Sequence, residues 1–126
     1  MPEAEIWMSR ARSALREADT LLGGGFAAAS VSRSYYAMFY AARALLSTKG
    51  ASPKSHGGTL QKLGELFVRT GLLPAETAAE MGATMEMREQ ADYEVLASAP
   101  DEERARQALD AARRFVSRAD ALLRSG

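Results

Sequence analysis

The sequence has no cysteine, which excludes disulfides, thiolate nucleophiles and cysteine-based zinc sites together and makes a reducing interior the natural setting. Histidine occurs once, as His56; with Ser and Asp too common to count, a hydrolytic triad cannot be argued from the sequence, and a metal pair supported by several histidines is disfavoured. No long hydrophobic run occurs. The most apolar stretch, YYAMFYAARALL, is interrupted by Arg43 and is shorter than the roughly 20 residues that cross a bilayer. The opening MPEAEIWMSR is acidic and lacks the basic-then-apolar pattern of a secretory signal. These absences predict a cytoplasmic protein with no membrane contact. Charge of one sign is not in excess either: sixteen basic residues balance sixteen acidic ones, so any binding of nucleic acid must be local and not driven by a net field.

What is present is an ordinary globular composition, 47% hydrophobic and 25% charged over 126 residues, which fits one domain spanning 1–126. Thirteen of the sixteen cations are arginine, whose planar fork of donors suits phosphate and carboxylate, although codon bias accounts for the ratio equally well. Periodicity is helical throughout. From Glu3 to Leu22, Trp7, Ala11, Ala14, Leu15, Ala18, Leu21 and Leu22 recur at the three-and-four spacing of one buried face, and Gly23, Gly24 and Gly25 end that helix. Phe26 to Lys49 contains neither Gly nor Pro and holds Tyr35, Tyr36, Phe39 and Tyr40, four of the nine aromatics. A helix apolar on several sides is central, or serves both a core and a subunit interface.

Gly50 and Pro53 predict a loop. A third helix is predicted to begin near His56 or Thr59, with Leu60, Leu63, Leu66, Phe67 and Thr70 inward and Gly71 as its stop. A fourth runs from Pro74 toward Arg88 or Tyr93. The last opens at Pro100 with Asp101, Glu102 and Glu103 suiting the positive end of its dipole, and keeps Ala105, Ala108, Leu109, Ala112, Phe115 or Val116, Ala119, Leu122 and Leu123 on one face. No segment alternates with period two. The expected fold is all-α, an up-and-down bundle of four to five antiparallel helices.

Candidate chemistry is sparse. The triple glycine lacks the Gly-Lys-Ser/Thr and the preceding strand that a phosphate loop requires. Glu76 with Glu80, and Glu86 with Glu89, share helix faces as di-metal carboxylates do, but the single histidine lies in another segment, and no metal or other cofactor is expected. Ser55 can cap a helix beginning at His56, whose ring could then bond to backbone. In MREQADYEV, Arg88 and Asp92 are four apart and meet on one helix face. The base precedes the acid, the weaker order for a stabilising pair, so both a structural ion pair and a functional arginine remain open.

Several separated segments, SRSYYAMFYAARALLSTKG, KSHGGTLQKL, GLLP and MREQADYEV, resemble the small HEPN-domain proteins of bacteria and archaea, in the branch carrying Arg-x-x-x-Asp-Tyr. The resemblance covers about Ala4 to Leu123. It implies a helical bundle paired into a homodimer, often encoded beside a minimal nucleotidyltransferase in a toxin–antitoxin arrangement. In toxin-like branches it implies a metal-independent ribonuclease whose signature is Arg, four to six residues, then His. The arginine would stabilise charge on the phosphorane while the histidine moves the 2′-hydroxyl proton. Here the counted positions are Tyr93, Glu94 and Val95, and tyrosine, with a reference pKa near 10, is a poor proton acceptor at neutral pH. The expectation is therefore a nucleotide- or RNA-binding or regulatory module with Arg88, Asp92, Tyr93 and Tyr36 as its phosphate-binding residues. The alternatives are a ribonuclease using Arg88 and His56 as catalytic residues, and a purely structural helical dimer.

Overall fold

The computed structural model describes residues 2–93 and 100–125. Its elements are α1 (Pro2–Gly23), α2 (Ala27–Ser47), α3 (His56–Leu63), a π-helical turn (Gly64–Val68), α4 (Ala75–Tyr93) and α5 (Glu102–Ser125). There is no strand among the described residues, so the all-α expectation is met.

The centre of the molecule is α2. It buries Ser30, Val31, Ser34, Tyr35, Ala37, Met38, Ala41, Ala42, Ala44, Leu45, Leu46 and Ser47, which cover most of its circumference, and it packs against α1, α3, α4 and α5. Close approach to α1 follows from small side chains: the buried stripe of α1 is Ala4, Met8, Ala11, Ala14 and Ala18. One hydroxyl buried on α2 is satisfied, Ser30 Oγ donating to the Ala18 carbonyl at 2.8 Å, as a buried polar group requires, whereas Ser34 Oγ, one turn on, has no partner among the described residues. The outer helix α5 buries Ala105, Ala108, Leu109, Ala111, Ala112, Phe115, Val116 and Ala119 and keeps Arg104, Arg106, Arg113 and Arg114 exposed.

The connections use the expected punctuation with one local change. Gly25 and Gly50 take positive φ, 86° and 71°, a conformation that side-chain-bearing residues resist. Asp101 stands just before α5 and accepts from the Arg104 N–H at 2.8 Å, acting as a cap and not only as a dipole charge. Ser55 caps α3, accepting from the Gly58 N–H at 2.8 Å. Thr70, expected on the inner face, is exposed. The π turn at Gly64–Val68 places an extra residue in that turn, which rotates everything after it relative to the preceding face. Phe67 remains buried and Leu73 closes the loop against the core.

Candidate functional site

The site grows from the middle of α2. Tyr35 and Tyr36 are consecutive, so on a helix they point about 100° apart, and the environment separates their roles. Tyr35 is fully buried, whereas Tyr36 is half-buried. A buried tyrosine needs a partner for its hydroxyl. That partner is His56, the first residue of α3, with Tyr35 Oη 2.6 Å from His56 Nδ1. The Ser55 cap fixes where α3 begins and therefore where the imidazole stands. The ring is packed by Phe39, with centroids 4.6 Å apart, and meets Tyr36 edge-on at 5.8 Å. The expected bond from this imidazole to backbone is replaced by the bond to tyrosine, because α3 presents its first residue to α2.

Arg88 reaches the same two rings from α4. Its Nη1 donates to Tyr36 Oη at 3.0 Å, across 52 residues of sequence, and its guanidinium carbon lies 5.2 Å from the Tyr35 ring centroid and 5.4 Å from that of Tyr36. Its Nε is buried with no hydrogen-bond partner among the described residues. Among the described residues Arg88 therefore commits one of its five N–H donors, at Nη1, and its Nη2 makes no hydrogen bond.

The ion pair with Asp92 does not form among the described residues; Asp92 is exposed, and Tyr36 holds the guanidinium in its place. Tyr93 is 76% exposed, so its ring is available for stacking on a ligand. Arg88 and Tyr93 line one open cleft of about 540 Å³ together with Glu86, Glu89 and Gln90. The remaining motif positions, Glu94 and Val95, lie outside the described residues.

Protonation follows from the same packing. Burial pushes the Tyr35 phenol well above its ordinary range, against a smaller opposing pull from Arg88. Burial, reinforced by Arg88 and opposed by Glu89, lowers the His56 pKa below its ordinary value. At neutral pH the phenol is thus protonated and the imidazole neutral. Among the described residues the Tyr35 hydroxyl has Nδ1 as its one hydrogen-bond partner, so it donates to Nδ1 and the imidazole proton resides on Nε2. This tautomer offers an N–H donor at Nε2 and no free lone pair there. His56 and Arg88 meet the same rings, yet they do not hydrogen-bond to each other, and His56 is not among the residues lining the cleft.

Of the sequence-nominated residues, Arg88 and Tyr93 line the cleft, Tyr36 is bonded to Arg88 without lining it, Asp92 is exposed, and His56 bonds to Tyr35 and is not among the lining residues. Two acids of the cleft, Glu86 and Glu89, were weighed in the sequence only as metal ligands. Tyr35 entered the sequence reading only as one of the aromatics from Tyr35 to Tyr40 and not as a site residue of its own; the structure buries it. A polar hydroxyl on the buried stripe of α2, in a chain with one histidine, was the available signal. Glu80, also weighed as a metal ligand, instead accepts from Arg114 of α5 at 2.6 Å.

Comparison with known proteins agrees with this architecture. The family model described as HEPN domain matches residues 4–122. The UPF0332 protein glr0978 of Gloeobacter violaceus is 40% identical over 92 residues, 73% of each chain. A Methanocaldococcus jannaschii protein named "Putative toxin MJ0142" is 34% identical over 101 residues, 80% of this chain and 69% of its own. The crystal structure of TT1696 from Thermus thermophilus superimposes with a TM-score of 0.78, covering 96% of this chain and 98% of that one at 24% identity, a likeness of fold. A helical bundle that matches this profile over nearly its full length, with relatives of that similarity, belongs to the HEPN domain family.

Proposed function

We propose that this protein is a phosphate-recognising HEPN module that binds a nucleotide or RNA through Arg88, acting as the regulatory or binding member of a pair with a minimal nucleotidyltransferase. The observation that carries the reading is the state of Arg88: its guanidinium is anchored on Tyr36 through Nη1, its Nη2 makes no hydrogen bond among the described residues, and the side chain lines an open cleft. A planar guanidinium with free donors in fork geometry recognises phosphate at contact. Tyr93, on the same cleft, supplies a face on which a base stacks. The names of two archaeal relatives carry the word toxin, which favours a toxin–antitoxin setting for this chain.

Binding is favoured over cleavage for a reason of proton inventory. A general base must present a lone pair to the 2′-hydroxyl. The imidazole instead has Nδ1 engaged with the Tyr35 hydroxyl, an arrangement in which donation from the buried phenol leaves the ring proton on Nε2, and it stands apart from the cleft lining. Glu86 and Glu89 oppose an anion there, but both are exposed, and salt screens such charges over about 8–10 Å while the arginine fork acts at contact.

Calorimetric titration with AMP, in the presence of a chelator, tests the reading. Saturable binding that is lost in Arg88→Ala and retained in Arg106→Ala supports it. Equal binding in both variants, or binding of neither AMP nor RNA by wild type, refutes it. Incubation with RNA under the same conditions separates the rival reading: cleavage abolished in His56→Ala and Arg88→Ala would make the protein a ribonuclease. The pairing into a homodimer belongs to the same proposal, and light scattering at micromolar concentration should return twice the chain mass.

A further inference from the structure

Tyr36 contacts two arginines. Arg88 approaches it from α4, and Arg33, one turn earlier on α2 itself, places its guanidinium carbon 5.3 Å from the same ring centroid. The two cations are thus separated by no more than about twice that distance. Like Arg88, Arg33 has a buried Nε without a hydrogen-bond partner among the described residues. A pose that leaves such a donor unsatisfied costs about 1–3 kcal/mol, so swinging the fork toward a phosphate acceptor meets little resistance.

From Tyr36 the contacts continue without a gap. Tyr36 packs on Tyr40 with centroids 5.7 Å apart, Tyr40 stacks on Trp7 at 5.9 Å, and Arg10 lies over Trp7 at 5.3 Å. The result is a row in which cations flank aromatic rings: Arg88, Tyr36 with Arg33, Tyr40, then Trp7 with Arg10. All three rings of the row are half-buried, so each is fixed by packing yet shows an edge or face to solvent. Beside this row runs a groove of about 300 Å³ lined by Ser9, Arg10, Ser13, Glu17, Arg33 and Tyr40. Arg33 pairs there with exposed Glu17 at 3.2 Å, and Arg10 takes part in no ion pair among the described residues. Exposed pairs of that kind contribute little and are readily exchanged.

We propose that this groove is a second phosphate subsite, joined to the Arg88 cleft across Tyr36, and that the ligand of the continuous surface is a single-stranded oligonucleotide and not a free mononucleotide. The inference rests on the phosphate reading of Arg88 and extends it. Arginines spaced along a row of half-buried rings are what a single strand requires, with phosphates on the cations and unstacked bases on the rings. A duplex, whose base faces are already stacked, gains nothing from those rings.

Fluorescence anisotropy on the full chain, with labelled ribo- and deoxyribo-octamers and with AMP as competitor, all in chelator, tests it. At least one octamer should bind about tenfold or more tighter than AMP, and the tighter of the two names the polymer. Arg10→Ala and Arg33→Gln should each weaken octamer binding severalfold and flatten its salt dependence while leaving AMP affinity unchanged. Arg88→Ala should weaken both ligands. An octamer no tighter than AMP, tighter binding of a duplex, or indifference of the octamer to both groove variants overturns the second subsite and leaves the Arg88 reading standing. Failure of wild type to bind either ligand overturns both. If the groove variants change the oligomeric mass and not octamer affinity, the row is an interface between copies and the proposal is wrong.

Discussion

Replacing Tyr35 with phenylalanine removes one oxygen and leaves the ring that packs against Tyr36 and Phe39. The oxygen donates to His56 Nδ1 at 2.6 Å from a fully buried position. A net intramolecular hydrogen bond contributes about 0.5–1.5 kcal/mol, and half-buried His56 can recruit water in place of the phenol, so the expected loss is about 1 kcal/mol. With an unfolding entropy of roughly 2.1 cal/mol/K per residue, that loss lowers Tm of a chain of this length by about 4 °C.

Acid changes the size of the effect in a definite direction. The folded-state pKa of His56 lies below its ordinary value, so its contribution is fully present above the unfolded value near 6.5 and is lost as pH falls through the folded value. The bond from Tyr35 favours the neutral ring, so Tyr35→Phe relaxes part of that depression. The variant then loses less stability on acidification than wild type does. The Tm gap should be widest above pH 7 and should narrow below pH 6, as read by circular dichroism melts. Nitrogen-15 spectra of the imidazole should show the proton on Nε2 in wild type and a mixture of tautomers in the variant. A wild-type proton on Nδ1, or a gap that widens in acid, would refute the assignment.

Two further substitutions probe neighbouring parts of the site. Gly58→Ala should lower Tm, although alanine is the better helix former by about 1 kcal/mol. A Cβ there would lie 2.8 Å from Ser55 Oγ and would push the cap aside, and loss of a serine cap costs about 1 kcal/mol or more; a rise in Tm would show that the cap does not fix the start of α3. Glu89→Gln should tighten AMP binding by about two- to fivefold at low salt and by less at high salt, because it removes one exposed carboxylate from the cleft. Unchanged affinity at low salt would mean that the anion sits elsewhere.

Helix number, order and most boundaries were readable because each helix carries its own local signature: the alanine stripe of α1, the long uninterrupted α2, the acidic opening of α5. The π turn was not, since a one-residue insertion leaves no mark in a stretch where Leu63, Leu66 and Phe67 fit either repeat. Arg88, Tyr36 and Tyr93 were legible from the motif and the aromatic cluster. What holds Arg88 was not legible, because spacing along one helix offers only Asp92 as a partner, whereas the contact made is to Tyr36 on another helix, 52 residues away. The bond between Tyr35 and His56 was hidden for the same reason. Long-range polar pairs depend on how α2, α3 and α4 face one another, and no local pattern encodes that.

The most direct test of the central claim observes Arg88 itself. The Nε–H resonance of Arg88, assigned by its loss in Arg88→Ala, should shift saturably when AMP is titrated into the labelled protein in chelator, with the Arg106 Nε–H signal unmoved. An Arg88 signal that stays in place while AMP binding is detected calorimetrically would put the phosphate at another site and contradict the account.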